Sequence, residues 1–337
     1  MKSAGLIAVL LIIAMVLTPI AAVTNTQLGA SGDNRDIIES SEKSTLSSGE
    51  SSDDNDSIKV FRTVSGNVET IPELEYVCGA VAAEMPASYH EQAIMAQAVA
   101  CYTYAQKTKL DQASNPDIKL NGAAISDESA SHQGYLSLEE RKAKWGDKFD
   151  EHEKKIQKAV SSVLGEIITY DDIPIVAAFH AICPGKTENA EIIWGKTIPY
   201  LVSVTSSGDK LSPNYNDTLV LTCEQFSNAM GKIEGVKFGN DNATWVSDVK
   251  TSQVGTVTSI TIGSKALTGR QVKDALDLRS NVFTIELNEG AFTIKTTGYG
   301  HAVGMSQYGA DYMARQGSKY DEILKHYYQG TTLMKSK

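Results

Sequence analysis

Cysteine is scarce in this chain. The 337 residues include four cysteines and no Cys-x-x-Cys pair. Thiols so few and so widely spaced exclude a disulfide framework, and we predict that Cys78, Cys101, Cys183 and Cys223 are small, mostly buried side chains. One or two disulfides are the alternative for a domain that lies outside the membrane.

Basic residues are fewer than acidic residues in this chain. The chain has 31 Lys and Arg against 41 Asp and Glu, a net charge of −10, which argues against a general nucleic-acid binder. No G-x-G-x-x-G, phosphate-binding loop or G-x-S-x-G pattern occurs, so neither nucleotide binding nor a serine-hydrolase nucleophile is predicted. Most of the acidic excess lies in residues 24–57, a segment rich in serine.

One uncharged hydrophobic run is present. Residues 4–23 are long enough to cross a bilayer and follow a single Lys2, so we predict a single-pass anchor whose remaining chain lies outside the membrane. A cleaved signal peptide is the alternative, because Ala21 and Ala22 follow Pro19. The predicted organisation is an anchor at residues 1–23, a disordered tether at 24–57 and a catalytic domain at 58–337.

The globular part mixes helices and strands without a regular βαβ alternation. Helices are predicted over residues 73–83, over 91–107 after a capping box that begins at Ser88, and over 142–164. Strand-like runs are residues 166–170, 175–180, 200–204, 256–262, 281–287 and 291–296. The predicted class is therefore α+β, an exported domain of mixed helices and antiparallel strands.

Glu84 is the first candidate for chemistry. It is a lone carboxylate at the end of an apolar helix that the Met85-Pro86 stop terminates. Apolar surroundings and the negative end of the helix dipole both disfavour the ionised form, so both raise the pKa of the carboxyl group. A general acid at neutral pH needs this property. The alternative is an exposed glutamate at a helix end.

A glycine-rich segment near the C-terminus is the second candidate. Residues 298–310 contain four glycines together with His301, Ser306, Gln307 and Tyr308. These side chains offer mixed hydrogen-bond donors and acceptors, which suit sugar hydroxyl and acetamido groups better than phosphates. A turn that leads into the next helix is the alternative.

Zinc is considered at a third segment. His180 and Cys183 could supply half of a site with His132 as a distant third ligand, but no fourth ligand is evident. We therefore predict no cofactor and interpret the pair as a structural histidine and a buried thiol, with zinc as the alternative.

These segments together resemble the stage II sporulation protein D family of lytic transglycosylases. The resemblance spans roughly residues 75–330, and its most specific part is GHAVGMSQYGA at 300–310. The other matching stretches are EYVCGAVAAEMP at 75–86, residues 91–105, GKTE at 185–188 with residues 194–195 and 199–201, and LTGR at 267–270 with LRS at 278–280.

The resemblance implies cleavage of peptidoglycan between N-acetylmuramic acid and N-acetylglucosamine with a 1,6-anhydro product. Glu84 would be the catalytic residue, because the sugar's own 6-hydroxyl attacks and no second carboxylate is needed, in contrast to ordinary glycosidases. The implied substrate-binding residues are His301, Ser306, Gln307, Tyr308, Tyr200 and Lys186.

The resemblance also implies a place and partners. The chain would act in the mother-cell membrane during spore engulfment, with its domain facing the intermembrane space, beside a sporulation amidase and other engulfment proteins.

This chain departs from the family pattern at two places, and the first of them, Tyr102 in place of arginine, supports a different hypothesis. The family's Ala-Arg-Thr-Tyr-Ala is Cys101-Tyr102-Thr103-Tyr104-Ala105 in this chain, and a Cys/His-rich metal loop of some members is replaced around His132. A glycan-binding protein that activates a separate cell-wall amidase without cutting is therefore the alternative function.

Overall fold

The computed structural model describes residues 56–128 and 132–336. The predicted anchor and nearly all of the predicted tether lie outside these residues. In the described stretches, no helix is long and apolar enough to cross a membrane. The helices of this part are α1 Glu73–Glu84, α2 Glu91–Ser114, α3 Leu138–Trp145, α4 Phe149–Val163, α5 Ala190–Trp194, α6 Cys223–Met230, α7 Gly269–Leu276, α8 Gln307–Arg315 and α9 Tyr320–Tyr327.

The strands are short and form small sheets. They are β1 Ser57–Phe61, β2 Val68–Pro72, β3 Ile125–Ser126, β4 Glu166–Tyr170, β5 Ile173–Pro174, β6 Phe179–His180, β7 Asn216–Thr222, β8 Val246–Thr251, β9 Val257–Ile262, β10 Lys265–Leu267, β11 Phe283–Asn288, β12 Ala291–Thr297, β13 Met305–Ser306 and β14 Thr332–Lys335. Their orders are β2-β1-β3, β10-β9-β8, β11-β12-β7, β13-β6 and β14-β4-β5. Pairing is antiparallel except for β1 with β3 and β6 with β13, so the predicted mixed α+β class is confirmed.

Helix α1 ends where the sequence predicts. Acidic side chains in its first turn complement the helix dipole, and Met85 turns to an extended conformation before Pro86, which disfavours a helical residue ahead of it. The next helix, α2, packs against α1 and carries small, fully buried side chains such as Ala96 and Ala100. Close packing of the two helices fixes the position of Glu84, the last residue of α1.

Several of the predicted helices and strands differ from those observed, and α2 continues to Ser114 rather than ending at residue 107. The N-cap of α2 is His90 rather than Ser88, and its Nδ1 accepts from the Gln92 N–H. The helix expected over 142–164 is divided, because Gly146 adopts φ 50° and ψ −124°, a conformation outside the helical region. Of the strands expected over 175–180 and 200–204, only Phe179–His180 forms a ladder.

The hydrophobic side chains form two separate cores, which define two lobes. The first lobe comprises residues 57–212 and 298–336, and its core surrounds α1 and α2. The second lobe comprises residues 216–297, and its core is built around a stacked pair of rings, Phe226 and Phe292, whose centroids are 4.1 Å apart.

Specific polar contacts join the lobes. Glu188 of the first lobe is 1% exposed and accepts hydrogen bonds from the hydroxyls of Ser252 and Thr256 in the second lobe, at 2.5 and 2.7 Å. Where the chain returns to the first lobe, the Gly300 N–H donates to the Arg279 carbonyl at 2.9 Å. The segment that carries His301 is therefore held by both lobes.

Candidate functional site

A cleft of about 410 Å³ lies in the first lobe. It is surrounded by residues from the ends of α1 and β6, from the middle of α2 and from the segment after β12. The lining residues are Glu84, Tyr104, His132, Gln133, Val176, Ala177, Ala178, Phe179, His180, Trp194, Gly300 and His301. Glu84 is the only acidic residue among these described lining residues.

Glu84 is partly buried, and its carboxyl group is held by the backbone. Its Oε1 accepts a hydrogen bond from the Gly134 N–H at 2.6 Å. Burial raises the pKa of Glu84, while the Gly134 bond and the charge of Lys144 oppose the shift, so the pKa is above its ordinary value. The site therefore favours the protonated carboxyl more than water does, as the sequence predicts from the apolar helix end.

Gly134 is required by the close contact. A Cβ atom at this position would lie 2.8 Å from Glu84 Oε1 and 3.2 Å from the Ala83 Cβ, so any side chain would displace the carboxyl group. Lys144, on α3, donates from Nζ to the Ala82 carbonyl at 2.7 Å, which places its charge near the end of α1.

His180 presents an acceptor. The Nδ1 of its ring lies 3.1 Å from the Val303 carbonyl oxygen, which can only accept, so Nδ1 carries the proton. Burial and the neighbouring His301 lower the pKa of His180 to about 3, and the ring is neutral. The remaining nitrogen, Nε2, is buried and has no hydrogen-bond partner within the described residues.

His301 has the opposite arrangement. Its Nδ1 accepts from the Val303 N–H at 3.0 Å, so the proton of the neutral ring is on Nε2. Burial lowers its pKa to about 4, against a bond to the Phe179 backbone that raises it. The ring centroids of His180 and Trp194 each lie 5.7 Å from that of His301. Trp194 is 40% exposed and forms an apolar wall.

The other residues predicted from the glycine-rich segment lie outside this cleft. Ser306 is fully buried; its hydroxyl donates to Asp209 and accepts from the Gly309 N–H, which caps α8.

Gln307 and Tyr308, the next two residues, also make contacts away from the cleft. Gln307 is 4% exposed and bonds to Gln97 at 3.3 Å. The Tyr308 hydroxyl donates to the Leu211 carbonyl at 3.1 Å. These contacts connect α8 to the rest of the first lobe.

The remaining two predicted substrate-binding residues also lie outside the cleft lining. The Tyr200 hydroxyl accepts from the N–H of Val176, a lining residue, at 3.0 Å, so Tyr200 supports one wall from behind. Lys186 is exposed and forms a backbone bridge with Thr205. Thus, of the site residues predicted from the sequence, the structure brings Glu84 and His301 together.

Tyr102 and Tyr104 lie on different faces of α2. Tyr104 lines the cleft with Glu84. Tyr102, which stands where the family pattern has arginine, lines another cavity and donates its hydroxyl to Glu73 at 2.8 Å. The substitution therefore leaves the described lining of the cleft unchanged.

The three residues considered for zinc do not come together: His132 and His180 line the cleft, and Cys183 is not among its lining residues. His132 bonds through Nδ1 to the Ser126 hydroxyl at 2.9 Å, and Cys183 Sγ contacts the Ser206 carbonyl at 4.0 Å. Within residues 56–128 and 132–336, no group of three or more His, Cys, Asp and Glu side chains is placed to hold a metal ion. All four cysteines are free and three are buried, which confirms the prediction of mostly buried thiols.

Sequence reasoning missed several groups of the cleft. Gly134 has no distinctive motif around it, and its role depends on a contact with a residue 50 positions earlier. Tyr104 and Trp194 lie inside stretches that match the family pattern, which is the signal that could have identified them. Gln133 offered no such signal.

Comparisons with known proteins agree with the resemblance. The model of the stage II sporulation protein family matches residues 62–170, a range that includes Glu84 and Gly134. Stage II sporulation protein D of Bacillus subtilis is 40% identical over 287 residues, which cover 82% of this chain and 78% of that protein. Its counterpart in Bacillus amyloliquefaciens is 39% identical over 278 residues, with the same coverage of 82% and 78%. The amidase enhancer of Bacillus subtilis is 27% identical over 311 residues, 76% of this chain and 40% of that protein.

Proposed function

Because the chain belongs to the stage II sporulation protein D family, we propose that it is a lytic transglycosylase that cleaves peptidoglycan glycan strands. The observation that carries the proposal is Glu84, the single acidic side chain of the described cleft lining, whose pKa is raised by burial. A lone carboxyl group suits a reaction in which one residue first gives and then takes a proton.

In the proposed reaction Glu84 donates its proton to the glycosidic oxygen between N-acetylmuramic acid and N-acetylglucosamine. The bond from that oxygen to the anomeric carbon breaks, and the 6-hydroxyl oxygen of the muramic acid bonds to the same carbon. This closes a 1,6-anhydro ring. The hydroxyl proton passes to the Glu84 carboxylate, so the side chain returns to its initial state and no water is consumed.

The other groups of the cleft bind and orient the sugar. Trp194 and Tyr104 provide apolar surfaces for sugar rings. The Gly134 N–H holds the carboxyl group in one orientation. His301 is supported by both lobes, and its ring lines the cleft beside Trp194. Four of the predicted residues act in this proposal by positioning the segments of the cleft: Ser306, Gln307, Tyr308 and Tyr200. Lys186 would contact the glycan outside the cleft.

Replacement of Glu84 tests the mechanism. Glu84→Gln keeps the size of the side chain and removes the acid, so we expect cleavage of peptide-free glycan to fall at least about 10²-fold. Products of the full-length protein are measured by mass spectrometry in ¹⁸O-labelled water. The anhydro product should carry no label. The matched control is Glu69→Gln, an exposed residue outside the cleft, which should behave as the unmodified protein does.

Two outcomes contradict the proposal. If Glu84→Gln still releases anhydro ends, the acid lies elsewhere. If the unmodified protein produces reducing ends that contain ¹⁸O, the reaction is hydrolysis.

A second candidate is a glycan-binding activator of an amidase that cuts nothing itself. The similarity to the amidase enhancer of Bacillus subtilis favours it. The same incubation separates the two functions. Intact strands that co-sediment with the protein, together with faster release of stem peptides by an added amidase, would support the second candidate.

The proposal also covers location and partners. Residues 1–23 hold the chain in the mother-cell membrane as a single-pass anchor, and the domain acts outside the membrane in the intermembrane space during engulfment. The supporting observation is the uncharged N-terminal run. A sporulation amidase and other engulfment proteins are the proposed partners.

A further inference from the structure

The LRS stretch at residues 278–280 is one motif that the cleft itself does not use. Leu278 is 6% exposed and packs in the core of the second lobe. The Ser280 hydroxyl donates to the Thr297 carbonyl at 2.6 Å, and Ser280 is 3% exposed. Arg279 is therefore fixed between two anchored residues, while its own side chain remains 38% exposed.

Arg279 is tied to the segment that lines the cleft. Its carbonyl accepts from the N–H of Gly300, a lining residue, at 2.9 Å. Its guanidinium carbon lies 5.8 Å from the ring centroid of Tyr299, the residue immediately before Gly300. Tyr299 is 49% exposed. An exposed ring and an exposed cation thus lie together next to Gly300 in the chain that joins the lobes.

The guanidinium retains binding capacity. Its ion pair with Asp217 joins Nε to Oδ2 at 3.3 Å, a long contact. A guanidinium group has five N–H donors and recognises a carboxylate best through two parallel bonds, for which its terminal nitrogens are suited. The aromatic ring beside it offers a face on which a sugar ring can pack.

We propose that Arg279 and Tyr299 form a subsite for a carboxylate-bearing sugar, with the ring of Tyr299 under the sugar and the Arg279 guanidinium on the carboxylate. The inference rests on the proposed function for its ligand, because N-acetylmuramic acid carries a lactyl carboxylate and N-acetylglucosamine carries none. The subsite gives the second lobe a direct role in recognising the glycan.

Binding measurements on a non-cleaving background test the subsite. Full-length Glu84→Gln protein is titrated with two probes, a peptide-free tetrasaccharide of alternating N-acetylglucosamine and N-acetylmuramic acid and an N-acetylglucosamine tetrasaccharide without carboxylates. Adding Arg279→Gln should weaken binding of the first probe about ten-fold and leave the second unchanged. Arg279→Lys, which keeps the charge, should recover part of the loss. Tyr299→Leu should weaken both probes.

The matched control is Arg270→Gln, which removes the same charge from an Arg of the second lobe that is 76% exposed. It should change neither affinity. Equal weakening of both probes by Arg279→Gln, or weakening of neither, overturns the subsite. Thermal unfolding of each variant shows whether it folds normally. If Arg279→Gln is destabilised, the affinities of Arg279→Lys for the two probes decide whether the subsite stands.

The two proposals fail separately. If the unmodified protein cleaves nothing but still prefers the carboxylate probe through Arg279, the subsite stands and the transglycosylase assignment falls. If Glu84→Gln abolishes cleavage while Arg279→Gln has no effect on binding, the reverse holds.

Discussion

The first and second lobes are stabilised by different kinds of core. In the first lobe, α1 and α2 pack against each other, and both carry small buried side chains, such as Ala80 and Ala96. In the second lobe, the rings of Phe226, Phe292 and Trp245 fill the interior. The groups assigned to bond cleavage lie in the first lobe, so the stability of the second lobe should be separable from the chemistry of Glu84.

Removal of a stacked ring from the second core is expected to give the largest effect on stability. Phe226 is fully buried, so Phe226→Ala should lower the free energy of unfolding by about 3–5 kcal/mol. Urea denaturation measures this. Under conditions in which Phe226→Ala is folded, its rate of glycan cleavage per molecule should remain close to that of the unmodified protein. The control is Val249→Ala, which truncates a half-exposed side chain of the same lobe and should be close to neutral. A variant that is folded but inactive would show that the lobes are coupled.

A single methyl group in the first lobe should affect activity rather than stability. Gly134→Ala places a Cβ against the Glu84 carboxyl group, and a displacement of about 1 Å can cost about 10²-fold in rate. The measurement is kcat/KM for peptide-free glycan. Gly239→Ala in the second lobe is the control, because a Cβ there meets nothing within 4 Å. Full activity of Gly134→Ala would mean that the orientation of the carboxyl group is not important.

The smallest expected effect is on the pH profile. The general acid must be protonated, so activity falls as the pH rises through the pKa of Glu84. Lys144 lowers that pKa, so Lys144→Gln should move the alkaline side of the profile to higher pH with the plateau unchanged. Lys142→Gln, on the same helix, is the control and should leave the profile in place. A shift to lower pH would contradict the assignment of Glu84 as the acid.

Local signals predicted where the first two helices begin. The stop at Met85-Pro86 and the apolar pattern before it place the end of α1 within one residue, and α2 begins at the predicted Glu91. The long charged helix was not predicted correctly, because a glycine at a positive φ interrupts a pattern that is otherwise continuous. The strands at residues 175–180 and 200–204 were overestimated, because side-chain preference does not supply a hydrogen-bonding neighbour.

The candidate site was predicted in part. Glu84 and His301 were identified from an apolar helix end and a glycine-rich segment, and both line the cleft. Ser306 and Gln307 belong to the same segment, but α8 begins at Gln307 and turns both side chains into the interior. Glycine spacing shows that a backbone is tightly folded and does not show which side chains face the cleft.

The sequence alone determined the family, the mixed helix and strand class and a lone carboxyl group at an apolar helix end, because composition, helix stops and motif order are properties of neighbouring residues. Tertiary structure decided what surrounds that carboxyl group. Gly134, His180, Trp194 and His301 come from segments far apart in the chain, and only packing of the lobe brings them to one cleft. The apolar helix end predicts that the pKa of Glu84 is raised, but the burial and the opposing Gly134 and Lys144 groups that set it come from that packing.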